Sequence, residues 1–231
     1  ESDVARTIEQ VAQYQVDGVV AAAHLTTEQI QRFEQRGVPL VFYNRAYQDV
    51  AVSSVCCDQV EGERFLVNML VEAGVHESYA VVSGPADSVV SMQRTQGAID
   101  RLQALGVQDI LEVRGDYSYE SGRRAVQEIA KLRSNGVDAV ICANDMMAFG
   151  CLDELRFHRG LAVPEDVSVV GFDGVRAAQW ASFDLATVQQ PVERMAEAAV
   201  AMLLDRIDKP GLPPEKRMFS GVLRPGTTVR R

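Results

Sequence analysis

The sequence predicts an α/β protein of two doubly wound parallel-sheet lobes, the first lacking its opening β-α-β. Three observations carry this reading. Short apolar runs alternate with amphipathic stretches along the whole chain, part of the pattern is written twice, and polar residues stand directly after the apolar runs.

The elements follow in chain order. Val4, Ile8, Val11 and Ala12 line one face of a first helix, at the spacing that a 3.6-residue turn requires. The strand candidates are Val16–Ala23, Val38–Tyr43, Val52–Cys56, Tyr79–Ser83, Asp109–Val113, Ala139–Ala143 and Val167–Phe172, with a short one at Ala186–Val188. Phe65, Leu66, Met69 and Leu70 mark a helix between the third and fourth strands, and Met195, Ala199, Met202 and Leu203 mark a late one. Strand and helix in alternation mean βαβ units and parallel sheets.

The repeat sets the lobes. Val16-Asp17-Gly18-Val19-Val20 resembles Val137-Asp138-Ala139-Val140-Ile141, each after an amphipathic stretch. Downstream come Val38-Pro39 and Val163-Pro164, then strands that end on Asn44 and Asp173. In the second lobe a strand, a helix and another strand precede the matching helix; in the first nothing does. About 40 residues are missing by this comparison, and in a sheet of order 2-1-3-4-5 the missing first strand is central. The strand at Val16 is therefore expected at an exposed edge, and the chain reads as a fragment.

Composition narrows the function. With 47% hydrophobic and 24% charged residues, the chain reads as a soluble globular protein. No apolar run reaches membrane-spanning length, so no membrane partner is expected. Glu1-Ser2-Asp3 opens without the basic and apolar regions of a secretory signal, although a signal removed ahead of Glu1 would leave the same start. The net charge of −9 argues against a surface that grips duplex DNA, which neutralises phosphates with Lys and Arg. Cys56, Cys57, Cys142 and Cys151 have no metal-ligand spacing, and buried free thiols suit a reducing cytoplasm. No metal or cofactor is expected.

In open α/β sheets ligands bind beyond the carboxyl ends of the strands. There stand Asn44-Arg45, Asp58-Gln59, Asp116-Tyr117, Asn144-Asp145 and Asp173, with Arg94 after the Tyr79–Ser83 loop and Gln190 after Ala186–Val188. Amides, carboxylates and a guanidinium suit the hydroxyls of a polyol, and a tyrosine ring can stack on a sugar's apolar face. Each has a rival reading: Asn144 or Asp145 as a helix cap, Asp173 as a turn residue, Arg94 as a surface ion pair on a first helical turn, Tyr117 as packing. Arg94 and Asp173 are expected within a ligand's width, with Asn144 beside them and no core packing by Arg94. No nucleophile elbow, phosphate loop or zinc-helix motif occurs. His24, His76 and His158 are scattered, so nothing calls for an enzyme.

Ala143-Asn144-Asp145-Met146-Met147-Ala148-Phe149-Gly150 resembles "ANDxMAxG" of the LacI/GalR (lactose-repressor) family of transcription regulators. Val163–Asp173 is similar to its "VPEDVSVVGFD", Thr187–Pro191 to its "TTVRQP", Gly115–Gly122 to its "GDFSEESG", and Arg94–Gly97 to its R-x-x-G. The resemblance implies a periplasmic-binding-protein-like core whose lobes close on a small effector. It implies lobes at 1–57 with 191–214 and at 58–190 with 215–231. The implied ligand contacts are Arg94, Tyr117, Asn144, Asp173 and Gln190, with Asn44, Arg45 and Gln59 opposite. Asn44 and Gln59 replace the family's common Asp and Asn, and Gly174 resembles the sugar-binding periplasmic proteins.

By this resemblance the chain is the effector-sensing part of a cytoplasmic, homodimeric regulator, meeting operator DNA only through a helix-turn-helix headpiece outside these residues. Phe149, Leu152, Leu155, Phe157 and Arg176–Trp180 are the candidate dimer surface, with packing of Leu152 and Leu155 on their own sheet as the rival. The alternative function is an exported sugar-binding receptor of a transport system.

Overall fold

The computed structural model describes residues 16–45, 47 and 50–230; the helix expected over Val4–Ala12 lies outside them. The chain divides into two compact units. One takes the chain up to Cys57 and again Pro191–Phe219; the other takes Asp58–Gln190 and the chain from Ser220 on.

The first unit holds β1 (Val19–Ala21), α1 (Thr27–Gln35), β2 (Leu40–Tyr43), β3 (Ser53–Cys57), α6 (Val192–Asp208) and β9 (Lys216–Phe219). Its four strands run parallel in the order β1-β2-β3-β9. α1 starts at a capping box: the Thr26 hydroxyl accepts from Gln29 N–H, and the Gln29 side chain accepts from Thr26 N–H. That reciprocal pair satisfies two orphan donors. Ile30 and Phe33 then bury against Ala21, Leu25, Phe42 and Val52. β1 is shorter than the run Val16–Ala23 because it pairs only from Val19↔Leu40 to Ala21↔Phe42. Among the described residues it lies at the sheet's edge. The last crossing falls after Phe219 rather than near Glu215, because residues 216–219 join the first sheet by pairing with β3.

The second unit holds α2 (Gln59–Glu72), β4 (Ser78–Ser83), α3 (Val89–Ala104), β5 (Asp109–Arg114), α4 (Tyr119–Leu132), β6 (Ala139–Cys142), α5 (Asp145–Asp153), β7 (Ser168–Asp173), β8 (Ala186–Gln189) and β10 (Val222–Arg224). The sheet order is β10-β8-β7-β6-β4-β5, parallel except for β10, which pairs antiparallel with β8. Counted within the unit, β5-β4-β6-β7-β8 is order 2-1-3-4-5, so the order reverses between β4 and β6. β6 is buried throughout because helices cover both faces, and its sequence is accordingly all apolar.

A π-turn, Glu154–His158, continues α5. Phe149, Leu152 and Leu155 pack into the unit's own core. For Leu152 and Leu155 this favours the packing reading, and Phe149, expected on the dimer surface, is buried with them. Phe157, at 76% exposure, and Trp180, at 56%, remain outside.

Candidate functional site

The site forms where the sheet order reverses and beyond, at the carboxyl ends of β6, β7 and β8. β7 ends on Asp173, whose φ of 121° is followed by Gly174 at φ 68°. No other residue fits at 174, since a Cβ would lie 2.4 Å from the Gln189 backbone. This turn presents the Asp173 carboxylate beside the end of β8. There Gln190 donates its backbone N–H to the Asp173 carbonyl at 3.1 Å and its side-chain amide to Asp173 Oδ1 at 2.7 Å.

Arg94 comes from α3, which the Ser88 hydroxyl caps by accepting from Ser91 N–H. It lies on the second turn, and its guanidinium sits 3.9 Å above the centroid of the Phe172 ring. It donates Nε–H to Gln59 Oε1 at 2.7 Å, and Nη1–H both to the Ala143 carbonyl at 2.7 Å and to Asp173 Oδ1 at 2.9 Å. The side chain is only 3% exposed. The expectation of a first-turn residue without core packing is therefore corrected: stacking on Phe172 and three hydrogen bonds fix Arg94 in the interior. These bonds use Nε and both Nη1 hydrogens and leave the two on Nη2.

Asn144 caps α5, accepting from Met147 N–H at 3.0 Å, and donates to the Tyr117 carbonyl at 3.1 Å. Its cap reading and its site reading thus describe one side chain. Tyr117 has φ 70°, and its ring lies so close over Gly84 that a Cβ there would be 2.5 Å from ring carbons. Asp116 serves its own loop, accepting from Ser118 N–H and Arg124, and these partners pull its pKa down to about 2. Asp58 caps α2 by accepting from Glu61 N–H.

The structure thus joins Gln59, Arg94, Asp173 and Gln190 in one network, with Asn144 and Tyr117 bonded to each other beside it. Asn44 and Arg45 belong to the other unit. There Asn44 closes β2 at φ 51°, donating its backbone N–H to Val55. The Arg45 carbonyl accepts from Cys56 Sγ, and Arg45 Nε is buried without a hydrogen bond among the described residues. A hollow of about 430 Å³ in that unit opens at the amino ends of the strands, by Asp17, Val38 and Ser53, away from both residues.

Two acids of the second unit are buried beyond what the sequence shows: Asp145, a strand-end group or helix cap by its position there, and Glu63, which the sequence does not single out. Asp145 is fully buried, accepts from Thr187 Oγ1 at 2.6 Å and from Val175 N–H at 2.8 Å, and so ties α5 to the turn after β7. Its burial outweighs these donors and raises its pKa to about 7. Glu63 on α2 is 1% exposed, and neither oxygen has a hydrogen-bond partner among the described residues. Its only sequence signal is its place one helical turn after Gln59. Cys142 and Cys151 are buried free thiols with Sγ atoms 3.6 Å apart. Among the described residues no group of His, Cys, Asp and Glu could hold a metal ion, and no helix is long and apolar enough to cross a membrane.

Residues 67–229 match the profile of the periplasmic binding protein-like domain. The chain is 29% identical over 233 residues to the probable HTH-type transcriptional repressor ExuR of Bacillus subtilis (strain 168), covering 99% of this chain and 69% of that protein. It is 36% identical over 197 residues to the HTH-type transcriptional regulator CelR of Thermobifida fusca, covering 83% of this chain and 57% of that one. The solved complex of the regulator CelR with cellobiose superposes with a TM-score of 0.88 at 32% identity, over 97% of this chain and 69% of that one. The chain thus spans 57% to 69% of the length of these relatives.

Proposed function

The chain belongs to the periplasmic-binding-protein-like family, on the branch of the LacI/GalR transcription regulators, and on that premise we propose that it is the effector-sensing domain of such a regulator. The effector is a small sugar-like molecule bound by the cluster at the carboxyl edge of the second sheet.

One observation carries the reading. Asp173 Oδ1 receives both Arg94 and Gln190, so Oδ2 is the carboxylate's acceptor for a ligand, and Nη2 is the guanidinium's donor. Two hydroxyls of a polyol match this adjacent acceptor and donor, each in a charge-assisted hydrogen bond of about 1.5–3 kcal/mol. The Asn144 amide and the Tyr117 ring supply a further polar contact and a face for stacking. Arg94 is already neutralised by Asp173. The cluster therefore favours a neutral ligand over an anionic one. Asn44 and Arg45 are the first unit's proposed effector contacts.

In this reading the cytoplasmic regulator is a homodimer; that it meets its operator through a helix-turn-helix headpiece is supported by the HTH-type naming of its relatives. The acidic net charge of −9 supports leaving DNA contact to another segment. A receptor for sugar transport is the other class of function, and the naming of the relatives as repressors and regulators favours the regulator.

The test is a thermal-shift screen of cellobiose, other neutral mono- and disaccharides, sugar acids and sugar phosphates. A neutral sugar at a hundred times its dissociation constant should stabilise the fold by about 2.7 kcal/mol. A response confined to the anionic sugars would contradict the proposed ligand class.

A further inference from the structure

Glu63 stands behind the ligand-facing groups. It shares a face of α2 with Gln59, one turn before it, and Gln59 takes the Nε hydrogen of Arg94. One turn beyond Arg94 on α3, Gly97 packs beside Glu63: a Cβ there would lie 3.6 Å from the Glu63 Cβ, in ordinary contact. Its neighbour Gly62 abuts the Phe172 ring on which Arg94 stacks. The Glu63 carboxyl is thus buried within electrostatic reach of the Arg94 guanidinium but not paired with it, and both its oxygens lack a hydrogen-bond partner among the described residues. Such a group needs an explanation, because a buried acceptor without a donor is costly and an ionised one more so.

The charged and titratable groups around it can be named. Burial raises its pKa to about 8, against the pull of Arg94 on α3 and with a further push from Asp173 at the end of β7. Cys142 on β6 feels its charge. Asp100 and Arg101 lie further along α3, where Arg101 donates to Asn68. β8 presents no titratable side chain, and β10 carries Arg224.

We propose that Glu63 is a positioning residue for Arg94: as a neutral acid it leaves the guanidinium committed to Asp173 and Ala143, and once ionised it competes with Asp173 for it. Arg94 therefore has two alternative carboxylate partners, and proton loss at Glu63 shifts it between them. On the reading of Arg94 as an effector contact, effector affinity falls as pH rises above neutrality; the positioning itself needs no effector.

The experiment is an NMR titration from pH 5.5 to 9.5, following the Glu63 side-chain carboxyl and the Arg94 Nε–H. In the wild type both signals should move with one midpoint near 8. In Glu63→Gln the Arg94 signal should stop moving. Should that variant fail to fold, Glu63→Met, neutral and of similar volume, should give the same flat Arg94 profile. An Arg94 signal that titrates unchanged in either variant overturns the proposal, as does a Glu63 carboxyl already ionised at pH 6. With a sugar that binds, the dissociation constant should rise several-fold between pH 6.5 and 9 in the wild type only. Coupled titration with no sugar bound would sink the effector reading and keep the positioning role; binding without coupling would do the reverse.

Discussion

At the residue scale, Arg94 joins stability to recognition. Removing a partner from a buried ion pair strands the other charge, which typically costs about 3–5 kcal/mol. Arg94 also carries a bond to a backbone carbonyl and a stack on Phe172. Arg94→Ala is therefore expected to lower urea-unfolding stability by an amount in that range, and a loss below about 1 kcal/mol would mean the pair behaves as an exposed one. The residue types at the strand ends were legible in the sequence because ligand sites in open sheets collect there. Their burial was not. Whether Arg94 lies on a first or a second turn depends on where Ser88 caps α3, and its exposure depends on α2 supplying Gln59. Glu63 was illegible for the same reason, since an acid inside a helix pattern reads as a solvated face until its neighbours are known; Asp145 was legible as a strand-end group or helix cap, and only its burial was hidden.

At the element scale, the close approach of α4 and α5 places Asn144 and Tyr117. Two glycines permit it. A Cβ at Gly122 would meet the Met147 carbonyl oxygen at 2.0 Å, and one at Gly150 would meet that of Tyr119 at 2.0 Å. Both obstacles are backbone, so relief requires the helices to move apart. Gly150→Ala should therefore destabilise the unit by at least the roughly 1–3 kcal/mol typical of overpacking, read as a drop in melting temperature. An unchanged melting temperature would show that the helices yield freely. The strands were legible to within a few residues because buried parallel strands are continuous apolar runs. The ends that moved were those set by a partner: β1 is cut to the length that β2 pairs with, and β9 joins the first sheet through β3, a long-range pairing that local pattern does not record.

At the scale of the whole molecule, the repeat of Val38-Pro39 and Val163-Pro164 made the doubled plan readable, and the second unit's strand order follows it. Self-association is less readable, because it rests on which apolar residues a helix leaves outside. Only Phe157 and Trp180 of the candidate surface are large exposed apolar side chains. If they form the homodimer contact, Phe157→Lys with Trp180→Lys should convert a dimer to a monomer by analytical ultracentrifugation at tens of micromolar. A dimer that survives both changes places the contact elsewhere.

The central claim is that the Asp173 carboxylate and its partners hold a sugar-like effector. The most direct measurement is calorimetric titration of the best sugar from the thermal-shift screen, beginning with cellobiose, into the wild type and Asp173→Ala, with circular dichroism to establish that both are folded. The expected result is saturable binding by the wild type and a loss of about 2–5 kcal/mol in the variant, the cost of truncating one partner of a hydrogen-bonded charge pair. Equal affinity in a folded Asp173→Ala would contradict the claim.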